Sequence, residues 1–245
     1  MFRHARKHLR TAAATLTVAA AAFAATPAHA TAQGPAGAGL WADCSGGYVG
    51  LTYDDGPNPS STTALLNALN AGGAKATFFI WGEHAQQHLD LLRAEQSAGM
   101  WIGNHTWNHP HMTQIGEPAA YNQIADTQNI IQQTIGVRPT LFRPPYGETN
   151  AQIRNDELQL GLTSEVLWSV DSQDWNGAST QQIVQAAATL QPGGIILMHD
   201  GGYQTTIAAV PQILSNLSSR HLCPGQVNTV RDAATGQYRV TAVAP

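Results

Sequence analysis

Short apolar runs alternate along this chain with longer segments in which apolar residues recur every three or four positions. Runs of the first kind have the length of a buried strand, and segments of the second kind have the period of an amphipathic helix. The pattern predicts these strand and helix pairs, in order: Tyr48–Thr52 and Ser61–Ala71, Ala76–Ile80 and Glu83–Ala98, Trp101–Gly103 and Glu117–Ile135, Thr140–Phe142 and Ala151–Leu160, Ser164–Val170 and Thr180–Leu190, Gly194–Met198 and Thr205–Ser219. Residues 226–245 have little periodicity, and we expect a tail laid over the surface.

A repeated strand and helix unit predicts an α/β fold with parallel strands joined by right-handed crossovers. Two architectures satisfy this pattern, an open doubly wound sheet and a closed barrel. No glycine-rich phosphate loop follows the first strand, and about six such units favour a distorted (β/α) barrel. In either architecture, ligands bind at the loops that follow the carboxyl ends of the strands.

The N-terminal segment has the features of an export signal. Four basic residues lie within Met1–Arg10, an alanine-rich apolar run covers Thr11–Thr26, and Ala28-His29-Ala30 ends in small residues. This order predicts a secretory signal peptide that is cleaved after about Ala30. The expected organisation is a signal peptide at residues 1–30, a flexible leader at 31–40 and a single domain at 41–245.

The charge of the exported part limits the possible partners. The full chain has a formal charge of −4, and loss of the four basic residues leaves 8 basic residues against 16 acidic ones, a charge of −8. An acidic surface gives no reason to expect binding to nucleic acid or to an anionic membrane, and it fits a neutral substrate better. We expect a monomer.

The chain has two cysteines, Cys44 near the start of the exported part and Cys223 near its end. A disulfide between them is the natural hypothesis for an exported protein, and two buried free thiols are the alternative.

Two adjacent carboxylates, Asp54 and Asp55, follow the first predicted strand and precede the turn Gly56-Pro57. At the point where a strand becomes a loop, both side chains can turn toward one pocket. One would then serve as a general base and the other as a metal ligand, although a solvated turn is also consistent with these residue types. Because like charges repel, a metal ion or an arginine must compensate them.

His105 and His109 are four residues apart, and on a helical turn this spacing places both imidazoles on one face. Such a pair also arises by chance on surfaces, but with Asp55 it makes two histidines and one carboxylate, a set typical of hydrolytic zinc with an open position for water. Bound zinc lowers the pKa of water and polarises a carbonyl oxygen. We expect one divalent ion, zinc first, with cobalt or nickel as alternatives. His111 falls outside the spacing and is interpreted as structural.

Arg143 is the expected partner of the base, Asp54, because its guanidinium fits a carboxylate. It begins the segment Arg143-Pro144-Pro145-Tyr146-Gly147, whose prolines stiffen the loop and could direct the amide of Tyr146 at a developing oxyanion. A solvated surface arginine is the alternative.

His199 follows the last predicted strand and is the candidate general acid. Asp174 could keep it protonated and oriented, and Trp175 would add an apolar wall to the pocket. Taken singly, His199 and Trp175 are also consistent with core packing.

Five segments together resemble the polysaccharide deacetylase family, the family 4 carbohydrate esterases with the NodB homology domain. In order they are Thr52–Pro57, His105–His109, Arg143–Gly147, Asp171–Trp175 and Leu197–His199. Within the family, the chain looks most like secreted bacterial acetyl xylan esterases. Tyr53 is a departure, since the family usually has phenylalanine there.

The resemblance implies a distorted barrel and metal-dependent removal of acetyl groups from sugar polymers. It implies these roles: Asp54 as base; Asp55, His105 and His109 as metal ligands; Arg143 as partner of the base; Tyr146 as oxyanion donor; His199 as acid, tuned by Asp174; Trp175 and Leu197 as the lining of the acetyl pocket.

We expect acetylated xylan as the substrate, with chitooligosaccharide or peptidoglycan as alternatives. A noncatalytic sugar-binding module on the same fold is the alternative from another class. A phosphate-ester or peptide hydrolase is disfavoured because the chain has neither a phosphate-binding loop nor a zinc-protease helix signature. Aromatic residues such as Trp81, Trp107 and Tyr203 could stack on sugar rings or pack.

Overall fold

The computed structural model describes residue 1, residues 40–231 and residues 235–245. Apart from Met1 and Leu40, the expected signal peptide and leader lie outside these residues. The chain divides into two units, Met1–Gln33 and Gly34–Pro245, and everything that follows concerns the second.

Ten strands and seven α-helices are described. The strands are β1 Gly47–Asp54, β2 Thr77–Ile80, β3 Trp101–Asn104, β4 Leu141–Phe142, β5 Ser164–Glu165, β6 Val170–Asp171, β7 Ile195–His199, β8 Leu222–Pro224, β9 Gln226–Arg231 and β10 Tyr238–Val243. The helices are α1 Thr62–Ala71, α2 Gly82–Gln87, α3 Leu89–Ser97, α4 Ala119–Ile135, α5 Ala151–Gln159, α6 Thr180–Ala187 and α7 Gln204–Ser219. Within the described residues, no helix has the length and apolar character needed to cross a membrane.

The main sheet is parallel and has the strand order β5-β4-β3-β2-β1-β7-β6. β8 adds to the first residues of β1, beside the segment that pairs with β7. The two end strands, β5 and β6, do not pair with each other in the described part of the chain. The expected distorted barrel is therefore confirmed in the form of a curved parallel sheet with an open seam between β5 and β6.

Strand β1 separates two apolar layers. Val49, Leu51 and Tyr53 are buried in the cluster formed with the surrounding helices. The alternate residues face the other side, where Thr52 hydrogen-bonds Arg143 and a side chain at Gly50 would collide with Val227. This alternation is the period-two geometry of a strand that is buried on both faces.

The prediction of a surface tail at residues 226–245 is wrong. Strands β9 and β10 form an antiparallel hairpin. Val227 is buried there with Phe79, Leu141, Val166 and Ile195, all from the main sheet and its connections. The hairpin thus fills the concave side of the sheet. Its alternation is too short to stand out from the sequence.

The apolar run 164–170 is also not one strand. Its start pairs with β4 as β5, and its end pairs with β7 as β6. The run crosses the seam between the two edges of the sheet, so its middle is not flanked by a strand on each side. The segment 83–98 is likewise divided at His88, whose backbone is not helical, into α2 and α3.

The predicted disulfide is present. Cys44 and Cys223 are bonded with their Cα atoms 5.4 Å apart, and neither cysteine is free. Cys223 lies in β8 opposite Tyr48 of β1. The bridge therefore joins the segment just before the first strand to the last strand of the parallel sheet.

Candidate active site

The carboxyl ends of the central strands meet at one pocket. Asp54, the last residue of β1, lies opposite His199 of β7, His105 follows β3 and Arg143 follows β4. Of the residues predicted for the site, the following line the pocket: Asp54, Asp55, His105, His109, Tyr146, Trp175, Leu197 and His199. The other two, Arg143 and Asp174, are buried behind it.

Arg143 holds Asp54 in a fixed orientation. Its Nη1 donates to Oδ1 of Asp54 at 2.7 Å and to Oγ1 of Thr52 at 2.9 Å, and its Nε donates to the carbonyl of Val166. The guanidinium also lies 4.2 Å over the ring of Phe79. Burial raises the pKa of Asp54, and the positive charge of Arg143 opposes that rise. This arrangement leaves the Oδ2 atom of Asp54 facing His105, with 3.6 Å to its Nε2.

Three side chains converge on one point beside Asp54. Nε2 of His105 and Nε2 of His109 lie 3.6 Å and 3.8 Å from Oδ1 of Asp55, and the three ligand atoms are all within 4.8 Å of one another. Oδ1 of Asp55 is buried without a hydrogen-bond partner. A buried carboxylate oxygen facing two imidazole nitrogens fits a divalent cation, because such an oxygen otherwise loses its solvation.

The imidazole of His105 has a defined tautomer. Its Nδ1 lies 2.6 Å from the backbone carbonyl of Arg143, and since a carbonyl can only accept, Nδ1 carries the proton and Nε2 is left as a ligand. Burial lowers the pKa of His105 to about 3. Burial, together with the nearby His105, lowers that of His109 to about 3. Both rings are therefore neutral, the state that a metal requires.

The helical turn predicted for the histidine pair is wrong, although the pair itself does come together. Residues 105–109 form a loop in which Thr106 and His109 adopt positive φ angles of 70° and 58°. The two rings meet edge to face with centroids 4.9 Å apart. A loop with two left-handed residues, rather than a helix face, brings the nitrogens together.

His199 and Asp174 form a second polar pair on the opposite side of the pocket. Nδ1 of His199 donates to Oδ1 of Asp174 at 2.7 Å, and Oδ2 of Asp174 accepts from the His199 amide at 2.8 Å and from Thr206 at 2.7 Å. Burial favours the neutral imidazole, but the bond to Asp174 and the charges of Asp54 and Asp55 outweigh it and raise the pKa of His199 to about 9.

The rim of the pocket is aromatic. Tyr146 adopts a φ of 60° between two prolines and a glycine, and its ring is 55% exposed. Trp175 is 51% exposed across the pocket, whereas Leu197 is buried. His111 lies outside the metal group, where it hydrogen-bonds Glu148 and stacks on Tyr146 with centroids 4.1 Å apart.

Several residues at the site were not assigned a role from the sequence. Trp168 and Asp171 line the pocket, as does Tyr203, one of the aromatic residues considered for sugar stacking. Asp200 is fully buried, and its amide donates to the Asp54 carbonyl at 2.7 Å. Its position directly after His199 was the available signal, but nothing in the sequence indicates that it points toward α1, where its carboxylate accepts from Thr62.

Trp81 packs against one of the possible metal ligands and does not line the pocket. Its ring stacks on His109 with centroids 5.4 Å apart and on His84 at 4.3 Å. His84 in turn bonds the backbone of Asp55. No sequence pattern pointed to His84, because the acceptor is a backbone carbonyl and no residue type marks it.

The chain is similar in sequence to known polysaccharide deacetylases. A family model described as polysaccharide deacetylase matches residues 43–164. A bifunctional xylanase/xylan deacetylase of Cellvibrio japonicus is 45% identical over 204 residues, which make up 83% of this chain and 29% of that protein. A peptidoglycan-N-acetylmuramic acid deacetylase of Bacillus subtilis is 38% identical over 174 residues, 70% of this chain and 36% of that one. This chain thus spans about a third of the length of these two relatives.

Among solved structures, a family 4 carbohydrate esterase from Streptomyces lividans in complex with acetate superposes with a TM-score of 0.73 at 51% identity. The match covers 81% of this chain and 98% of that chain. The similarity therefore extends over almost the whole of that esterase structure.

Proposed function

The chain belongs to the polysaccharide deacetylase family of hydrolases, and we propose that it is a secreted, metal-dependent enzyme that removes acetyl groups from acetylated xylan. One observation carries the proposal: a buried carboxylate held by an arginine, a group of possible metal ligands and a histidine held by a carboxylate all face one pocket. The disulfide and the basic and apolar N-terminal sequence support export.

Asp55, His105 and His109 are the residues that would hold the ion, with zinc the first choice and cobalt or nickel as alternatives. When bound, such an ion lowers the pKa of water and polarises the acetyl carbonyl.

Asp54 is the general base in this proposal. Arg143 occupies its Oδ1, so Oδ2 is the oxygen that faces the pocket and can take a proton from the attacking water. The backbone carbonyl of the same arginine accepts a hydrogen bond from Nδ1 of His105. One buried residue thereby orients both the base and a metal ligand.

His199 is the general acid. Asp174 accepts a hydrogen bond from its Nδ1, so Nε2 is the atom that can protonate the leaving oxygen or nitrogen of the sugar. Its raised pKa keeps the imidazole protonated at neutral pH.

The remaining roles are positional. The backbone amide of Tyr146, fixed by Pro144 and Pro145, would donate to the developing oxyanion. Leu197 and Trp175 would enclose the acetyl methyl group and exclude water from the reacting carbonyl.

The sequence identity to known deacetylases favours acetylated xylan over other polymers. The xylanase/xylan deacetylase is more similar to this chain than the peptidoglycan deacetylase, at 45% against 38% identity. The same side chains would also suit the amides of chitin oligomers and peptidoglycan, which leave as amines and depend more on protonation by His199.

Acetate release from acetylated xylan, chitin oligomers and acetylated peptidoglycan, measured side by side with added zinc or cobalt, tests the proposal. We expect kcat/KM on acetylated xylan to be at least about tenfold higher than on the amides. A preference for an amide polymer would reassign the substrate. Sugar binding without acetate release from any of the three would indicate a noncatalytic module.

A further inference from the structure

Helix α2 begins at the two loops that carry the metal ligands of the proposed function. The amide of Trp81 donates to the carbonyl of Gly56, next to Asp55, at 3.0 Å. The amides of Gly82 and Glu83 donate to the carbonyls of Thr106 and Trp107 at 2.9 Å. The first amides of a helix have no partner within it, and here the two ligand loops provide the acceptors. The start of α2 therefore fixes the separation of these loops.

Asp55 adopts a backbone conformation that needs support. Its φ is 70°, in the left-handed region that is unfavourable for residues other than glycine. Its carbonyl oxygen lies 2.8 Å from Nδ1 of His84. Because a carbonyl can only accept, Nδ1 of His84 must carry the proton and donate it. This bond holds the peptide group that aims the Asp55 side chain at the two histidines.

The plane of the His84 ring is itself fixed. The indole of Trp81 lies between His84 and His109, with centroids 4.3 Å from one and 5.4 Å from the other and interplanar angles of 23° and 29°. His84 itself neither lines the pocket nor belongs to the group of metal ligands. Among the described residues, its side chain takes part in the donated bond and the stack, and both lead to a ligand.

We propose that His84 is a positioning residue for the metal site, which holds the carboxylate of Asp55 in place by donating to the Asp55 carbonyl. The inference rests on the proposed function, because it assumes that Asp55 binds a cation. Partners that orient metal ligands typically contribute about 10- to 100-fold in metal affinity.

Two substitutions separate the hydrogen bond from the ring. His84→Phe keeps an aromatic ring against Trp81 but has no donor. His84→Asn loses the ring but places an amide N–H close to the position of Nδ1. His88→Phe is the matched control, since His88 lies at the end of the same helix and its side chain makes no hydrogen bond among the described residues.

The dissociation constants of zinc and cobalt, measured by competition with a chromophoric chelator, are the main readout. The absorption spectrum of the cobalt-loaded protein reports the ligand geometry, and thermal unfolding of the metal-free protein reports folding. We expect His84→Phe to weaken binding by at least about tenfold and to alter the cobalt spectrum, with His84→Asn and His88→Phe within about threefold of the native value.

Native affinity and an unchanged cobalt spectrum in His84→Phe would overturn the positioning role, as would equal losses in His84→Phe and His84→Asn. Either result, with native acetate release intact, leaves the proposed function standing. If the native protein binds no divalent ion, both proposals fail.

Discussion

At the scale of single residues, the pocket depends on buried partners that fix which atom of each side chain faces its interior. Arg143 leaves Oδ2 of Asp54 free, and Asp174 leaves Nε2 of His199 free. Both partners are almost fully buried, so their interactions are not weakened by solvent as surface ion pairs are. Substituting a partner should therefore change the chemistry of the residue that it holds.

The pH dependence of activity tests this for Asp174. In the proposed mechanism His199 acts in its protonated form, and because its bond to Asp174 and the nearby carboxylates raise its pKa to about 9, activity should fall above about pH 9. In Asp174→Asn the burial that favours the neutral ring remains while the carboxylate is lost, and the alkaline limb of kcat/KM should move down by at least about one pH unit. Profiles of acetate release against pH measure the shift.

Asp171→Asn is the control for that profile. Asp171 also lines the pocket, but its carboxylate accepts from Gln173 and not from His199. The alkaline limb of kcat/KM in Asp171→Asn should therefore stay at the same pH as in the native protein. An unmoved limb in Asp174→Asn would show that Asp174 does not set the protonation of His199.

The residue pairs that chemistry demands could be predicted from the sequence. A carboxylate needs a cation and an acid histidine needs an orienting carboxylate, which leads to Asp54 with Arg143 and Asp174 with His199. The bond from His84 to Asp55 could not be predicted, because the acceptor is a backbone carbonyl and no residue type marks it.

At the scale of elements, helix α3 contains a buried carboxyl group whose loss of solvation is not offset by hydrogen bonds. Glu95 is fully buried, and both of its carboxyl oxygens are without hydrogen-bond partners. Burial raises its pKa well above the ordinary value of 4.5. The folded state therefore keeps Glu95 protonated at pH values where the unfolded chain ionises, and its contribution to stability falls as the pH rises above 4.5.

Replacing Glu95 with methionine should stabilise the protein. The side chain has a similar volume and no polar atoms to satisfy, so we expect the free energy of unfolding at pH 8 to rise by about 1–3 kcal/mol, with a smaller gain at pH 5. Urea unfolding at the two pH values measures it. Asp126→Asn, an exposed carboxylate inside α4, should have little effect. An equal gain at both pH values would contradict the explanation.

Elements with a clear period were predicted well, and those that depend on distant partners were not. The helix at 119–135 and the strand at 77–80 agree with their predicted segments to within two residues. The prediction of a single strand at 164–170 is wrong because the two ends of this run pair with strands on opposite edges of the sheet. The prediction of a helical turn at 105–109 is wrong because left-handed residues other than glycine have no signature in the sequence.

At the scale of the whole molecule, the bridge joins Cys44 and Cys223, which are 179 positions apart in the sequence, and so closes a loop around the parallel sheet. In the chain-entropy description, such a long loop restricts the unfolded chain strongly. The double substitution Cys44→Ser with Cys223→Ser should lower the free energy of unfolding by about 2–4 kcal/mol, as measured by urea unfolding.

The ion pair between Asp43 and His221 is the control for the bridge. It lies beside the bridge, with 2.9 Å between Oδ2 of Asp43 and Nδ1 of His221, and both side chains are more than half exposed. Asp43→Asn should leave stability almost unchanged, because solvent screens exposed pairs. Equal stability of the double serine variant and the native protein would contradict a stabilising role for the bridge.

The overall class of the molecule was accessible from the sequence, since alternating strands and helices imply parallel pairing and a site at the strand ends. Closure was not. Whether the sheet closes depends on the distance between β5 and β6, and on the hairpin that fills the concave side through Val227. These are properties of packing between remote segments.

The central claim is that a cation at Asp55, His105 and His109 is required while Asp54 takes the proton. Acetate release from acetylated xylan by protein stripped of divalent ions and titrated with zinc, with Asp54→Asn alongside, tests it most directly. We expect almost no release from stripped protein and recovery at one ion per chain. Asp54→Asn should bind the ion but turn over about 10²- to 10⁴-fold more slowly. Full turnover by the stripped protein, or a native rate in Asp54→Asn, would contradict the claim.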